Sequence, residues 1–155
     1  MGRLKMTIVK HSKDSNLPVS RKKRLRYGID IKKYIPSILL GSLISTYLDL
    51  YFIGKGMYYF PHRPLPSIFS INIIFLLIGL PLLIILFLIV CEKINGWKKL
   101  MFILFISLSM AVFEKFSESL GYFVHDDSWK HIYSLFGYFT FFTFIYFFNR
   151  INKCS

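Results

Sequence analysis

Cysteine is almost missing, with Cys91 and Cys154 the only two in 155 residues, and this leaves nothing for a disulfide framework. Acidic residues are also few: eight Asp and Glu stand against 20 Lys and Arg, a formal charge of +12. There is no Ser-His-Asp spacing and no nucleophile elbow, which counts against hydrolytic chemistry. No H-E-x-x-H helix is present, and no Ser or Thr stands at position 6 to complete a myristoylation signal after Met1 and Gly2. The first apolar block is not followed by a small-residue cleavage site, and the charged stretch before it is far longer than the n-region of a signal peptide. That block is therefore expected to remain as a helix. Internal repeats are absent, as are low-complexity tracts other than a basic tail.

What the chain has in excess is apolar surface. Hydrophobic residues make up 54%, mean hydropathy is +0.49, and 17 Phe and 10 Tyr add a load that would aggregate a soluble chain of this size. These residues are gathered into blocks, so lipid is the expected solvent. The positive charge is equally uneven. Eleven of the 20 Lys and Arg lie in positions 1–33, including the cluster Arg21, Lys22, Lys23, Arg24 and Arg26. Such a cluster can mark nucleic-acid binding, but directly before an apolar block it reads as a positive-inside flank that contacts anionic lipid headgroups. No nucleic-acid partner is expected.

The fold class that follows is all-α: a polytopic membrane protein built as a four-helix transmembrane bundle. A basic cytoplasmic tail, 1–33, precedes a transmembrane domain over 34–149, with spans at about 35–54, 68–90, 99–120 and 129–148, and 150–155 form a short second tail. The segment Ile68 to Val90 would rise about 34 Å as a helix. The first and third spans carry carboxylates: Asp49 in one, Glu114 and Glu118 in the other. Each costs about 2.5–3.5 kcal/mol at the bilayer centre, against roughly 0.3–0.6 returned per Leu, Ile or Phe, so insertion stays favourable by a small margin. Sixteen basic residues fall on the side of the two tails and the loop with Lys93, Lys98 and Lys99, leaving Lys55, Arg63, Lys115 and Lys130 for the other. The majority side is predicted to be the cytoplasm, where the thiols of Cys91 and Cys154 stay reduced.

Asp49 and Glu114 each lie fourteen residues into a rising helix, about 21 Å up, hence at one depth. Ser37, Gly41, Ser45 and Asp49 recur every four residues, a small-residue stripe that admits a close neighbour, and Ser107, Ala111, Glu114 and Glu118 share one face of the third helix. From the descending helices Asn72, Ser134 and Tyr138 reach the same level. Asp49, Asn72, Glu114, Glu118, Ser134 and Tyr138 are therefore predicted to converge in the outer third of the bundle. A carboxylate there needs hydrogen bonds, protonation or a cation, for which Lys115 is the nearest candidate in sequence unless its stem snorkels outward. Two readings follow: a set of polar contacts specifying which helices pack, or a site for a proton, a cation or a small ligand.

His125, Asp126, Asp127 and His131 have metal-ligand chemistry, but their spacing matches no zinc helix and they read as solvated loop charges; no metal and no cofactor is expected. His62, between prolines, reads as a loop residue. The triplet Gly54, Lys55, Gly56 resembles part of a phosphate loop but lacks the preceding strand. Pro81, beside Gly79, removes the bond to the Leu77 carbonyl and predicts a kink in the second span.

The segments TYLDLYF (with Asp49), YYFPHRPLP followed by FSINIIF (with Asn72), and EKFSESLGYF leading to SWKHIYSLFGY resemble an uncharacterised family of small four-helix membrane proteins of endospore-forming Gram-positive bacteria, which carries only a locus-tag name. The resemblance spans about residues 34 to 148. It implies a multi-helix bacterial cell-membrane protein and supplies no catalytic residue; the tail before Tyr34 has no counterpart in it. Three functions remain open on these grounds. A non-enzymatic binding or interaction protein, partnered by lipid, a second copy or another membrane protein, is favoured over a proton- or cation-coupled transporter or channel subunit. An intramembrane enzyme ranks last.

Overall fold

The computed structural model describes residues 31–126 and 129–154. The basic cluster Arg21–Arg26 with its anionic-lipid role, and Asp127, lie outside the described residues. A short 3-10 turn, Ile31–Tyr34, leads into α1, Ile35–Gly54; α2 is Leu80–Lys93, α3 Trp97–Ser119 and α4 His131–Cys154. Four helical segments are long and apolar enough to cross a membrane, and the chain is an all-α, four-helix, multi-pass membrane protein. Leu39, Leu86, Phe105, Phe113 and Phe136 are more than half exposed, as lipid-facing side chains are. The helices alternate in direction, so Ile31 and the end of α4 meet at one end of the bundle, the terminal end. There Lys33 bonds Glu92 at 2.6 Å and Lys153 pairs with the other oxygen of the same carboxylate.

The core is centred on α2, whose Leu80, Ile84, Phe87, Leu88 and Cys91 are buried against Ile103 of α3 and Phe142 and Ile145 of α4. The expected small-residue stripe faces inward: Ser37 and Gly41 are buried, and a Cβ at Gly41 would lie 2.6 Å from Ile84 Cδ1 and 3.1 Å from Ile145 Cδ1. Absence of a side chain at Gly41 is thus what sets the approach of α1 to α2 and α4. Cys91 is a buried free thiol.

At the opposite end, the cap end, both rising helices stop in the same way. After α1, Gly56 has φ +72° and donates to Ile53 O while Met57 donates to Phe52 O; after α3, Gly121 has φ +74° and donates to Glu118 O while Tyr122 donates to Ser117 O. These are paired Schellman closures, in which glycine accepts a left-handed backbone that a side chain would resist. Gly56 therefore serves as a helix stop, with no phosphate-loop geometry around it. Two helices ended alike send their chains out side by side, and β1, Tyr58–Tyr59, pairs antiparallel with β2, Val124–His125, in the register Tyr58 to His125 and Tyr59 to Val124. Asp126 N–H extends the ladder to Met57 O at 2.9 Å.

The second span begins later than position 68. Residues 61–72 are turns, braced by Arg63, which donates to the carbonyls of Phe69 at 2.7 Å, Phe60 at 2.6 Å and Pro66 at 3.3 Å. Helix starts at Ile73, where Asn72 Oδ1 accepts the Phe75 N–H at 3.2 Å as an N-cap does. A π turn, Phe75–Gly79, follows, and Leu80 N–H reaches back five residues to Phe75 O just before Pro81. The wide turn brings the Phe75 ring over Gly79, where an added Cβ would lie 2.9 Å from Cδ2. The irregularity predicted from Pro81 and Gly79 takes this form.

Candidate functional site at the cap end

Glu114 projects from the inward face of α3 toward the first two turns of α4. On α4, His131, Ser134 and Tyr138 stand three and four residues apart and so share a face. Ser134 Oγ donates to Glu114 Oε1 at 2.5 Å and Tyr138 OH donates to Oε2 at 3.0 Å; Trp129 Nε1 and His131 Nδ1 each lie 3.4 Å from Oε1. Trp129 Nε1 also donates to Ser134 Oγ at 3.1 Å. The carboxylate is only 10% exposed, and both oxygens are engaged.

Asp49, on α1, accepts a 2.6 Å hydrogen bond from Tyr58 OH and lies within electrostatic reach of Glu114, with no direct bond between the two acids. Tyr58 comes from β1, so the strand pairing of the cap carries the phenol to the end of α1. Burial pushes that phenol above the ordinary tyrosine range, and the charge of Asp49 adds to the effect. Tyr58 is thus a fixed proton donor. Around it pack Phe123 at 5.1 Å, Trp129 at 5.5 Å and Phe52 at 6.0 Å between ring centres, with Trp129 edge-on to Phe52 at 5.3 Å. An aromatic layer therefore covers the two acids.

Glu118, one helical turn beyond Glu114, points to a separate place. Its Oε1 lies 2.9 Å from His125 Nε2 and its Oε2 lies 3.2 Å from His131 Nε2, with the carboxylate about one-third exposed. The two imidazoles stand nearly perpendicular, 5.1 Å apart. His125 and His131 are thus not simply solvated loop charges: the glycine stop at Gly121 turns the chain back, and β2 and the start of α4 bring both rings over α3. One donor atom from each of Glu118, His125 and His131 falls within 4.8 Å of the other two, a set able to hold a metal ion.

Of the six residues expected to converge, Glu114, Ser134 and Tyr138 meet directly, Asp49 bonds Tyr58, whose ring packs on Trp129 beside them, and Glu118 faces the histidines. Asn72 is instead a helix cap. Lys115 is exposed and forms no ion pair among the described residues. Sequence reasoning gave no site role to Trp129, Tyr58, His125 or His131; the spacing of His131, Ser134 and Tyr138 along one face was the available signal.

The chain matches no protein-family model, no curated protein and no solved structure. Its class accordingly rests on its own geometry: a four-helix membrane protein with a polar cap built over two partly buried acids.

Proposed function

We propose that this chain is a non-enzymatic binding protein of the bacterial cell membrane, with both termini in the cytoplasm and the cap facing outside. The observation that carries this reading is the state of Glu114. Each of its oxygens is committed to donors from α4, as befits a carboxylate that ties two helices together. A proton- or cation-coupled transporter needs a carboxylate that exchanges partners, and an acid–base enzyme needs one that meets a substrate. The ties hold the cap rigid, and binding then falls to what the cap presents. The sixteen-to-four division of basic residues supports the orientation, the basic tail suits anionic headgroups, and the apolar flanks suit a second copy or another membrane protein. The resemblance to the endospore-former family is consistent with the same class.

Two measurements test the reading. With Cys91 and Cys154 replaced by Ser, a single cysteine at Tyr122 should react with an impermeant maleimide added outside intact cells, and one at Asn95 should not. Proteoliposomes carrying a pH-sensitive dye should show no proton flux above lipid alone. A flux abolished by Glu114→Gln, or labelling at Asn95 from outside, would overturn the proposal.

A further inference from the structure

We propose that Glu118, His125 and His131 form a three-ligand site for a zinc-class divalent metal ion on the cap. This names the ligand of the cap and rests on the reading of that cap as a binding surface.

Proximity alone would not carry the assignment, since acids and histidines on a surface attract one another. The other ring nitrogens carry it. His125 Nδ1 lies 2.9 Å from the Asp126 carbonyl oxygen, an acceptor that demands a proton on Nδ1. His131 Nδ1 faces Glu114 Oε1, which accepts from Ser134 while Tyr138 holds the other oxygen of the same carboxylate. Both imidazoles therefore have Nδ1 anchored by an oxygen and Nε2 directed at Glu118. Metal-binding histidines are organised in this way: the outer nitrogen donates to a carbonyl or carboxylate, which sets the tautomer and leaves the inner lone pair for the ion. With both Nδ1 atoms protonated, two neutral rings 5.1 Å apart between centres would aim lone pairs at a carboxylate; protons on the rings or on Glu118 would relieve this, or one metal ion among the three ligands.

The spacing suits the metal ion. Tetrahedral bonds of about 2.0–2.1 Å place ligand atoms about 3.3 Å apart. The Glu118 contacts, 2.9 Å from Oε1 to His125 and 3.2 Å from Oε2 to His131, are of that order, and one donor atom from each of the three residues lies within 4.8 Å of the other two. Two imidazoles and one carboxylate disfavour calcium and magnesium, which take oxygen ligands, and favour zinc, cobalt or nickel. Three protein ligands leave a fourth position for water or for a group from a bound partner. The ligands come from α3, β2 and α4, so the ion would clamp the strand pair to the helices beneath it.

The test uses the full chain, purified in detergent and stripped with chelator, with cobalt(II) as the probe. One equivalent should produce visible d–d bands of low-coordinate cobalt, and zinc should displace them. His125→Ala and Glu118→Gln should each weaken binding at least tenfold with helicity by circular dichroism unchanged, while His62→Ala should leave it intact. Glu114→Gln, which alters the anchor of His131 and touches no metal, should weaken it about 10- to 100-fold. Binding that is unaffected by His125→Ala and Glu118→Gln, or lost equally in His62→Ala, would overturn the site. Because this assay is blind to orientation, cobalt binding together with outside labelling at Asn95 would refute the placement of the cap and leave the metal site standing.

Discussion

Removing the Ser134 hydroxyl tests whether Glu114 ties α3 to α4. Ser134→Ala deletes the shortest of the donors to this carboxylate, at 2.5 Å, and leaves Tyr138 on the other oxygen at 3.0 Å. In water-soluble folds a hydrogen bond to a charged group is worth about 1.5–3 kcal/mol. Within a bilayer the unfolded chain also finds partners, and measured values average about 0.6 and reach about 1.7 kcal/mol. The membrane scale governs here, and with Ser134 only 6% exposed its upper half applies, so a loss of about 1–1.7 kcal/mol is expected. Glu114→Leu is harsher, because it strands the Ser134 and Tyr138 donors without an acceptor, at about 1–3 kcal/mol for each one fully buried, while Trp129 keeps its bond to Ser134 Oγ. Glu114→Gln keeps an acceptor and should fall between. Combining Ser134→Ala with Glu114→Gln should give a coupling of about 0.5–2 kcal/mol. Far-ultraviolet circular dichroism during reversible unfolding in mixed micelles reads all of these without relying on Trp129, which sits in the site. Additivity of the two substitutions within about 0.3 kcal/mol would refute the tie.

Gly41→Ala should be less stable than Gly137→Ala by about 1 kcal/mol or more, because its methyl must displace the Cδ1 atoms of buried Ile84 and Ile145, whereas a Cβ at Gly137 meets nothing within 4 Å and gains up to about 1 kcal/mol in helix propensity; the same unfolding assay compares them. Tyr58 should resist ionisation: its raised folded value keeps its contribution fully present below the unfolded value of about 10 and loses it as pH climbs further. An ultraviolet titration of Tyr58→Phe should therefore match the parent through about pH 10, and a parent curve with one more phenolate would refute the buried donor. Lys115→Ala should change stability by less than about 0.5 kcal/mol, and a larger loss in thermal denaturation would mean that this exposed cation pairs with the acids after all.

The spans were legible because lipid demands long apolar runs, and hydropathy reports those directly. The inward faces of α1 and α3 were legible too, since Ser37 and Gly41, or Ser107 and Glu114, repeat with the period of one helix. Asn72 was misplaced because an amide in a long uncharged segment looks alike whether it caps a helix or lies inside one; the turns braced by Arg63 decide, and their bonds join residues with no periodic pattern. The histidines were harder still. Their approach to Glu118 depends on the glycine closures at Gly56 and Gly121 sending two strands out in register, a coincidence of two local stops distant in sequence. Trp129 and Tyr58 carried no periodic signal, because the acceptors they reach, Glu114 and Asp49, belong to other elements, α3 and α1.

A π turn holds one residue more than an α-helical turn. Removing Ile78 from Phe75–Gly79 would let ordinary four-residue bonding run on from α2, yet it would swing everything ahead of the deletion by about 100°. Leu76 and Ile71, both buried, would rotate toward lipid, and the Asn72 cap and the Arg63-braced turns would turn with them. Chain length is therefore unequally constrained along this stretch. The loop between Phe60 and Asn72 can drift by a residue at the cost of its own hydrogen bonds, while the count from Asn72 to Pro81 is locked from both sides. In diverging descendants of this chain, Gly79, Pro81 and the extra residue should be kept or lost together.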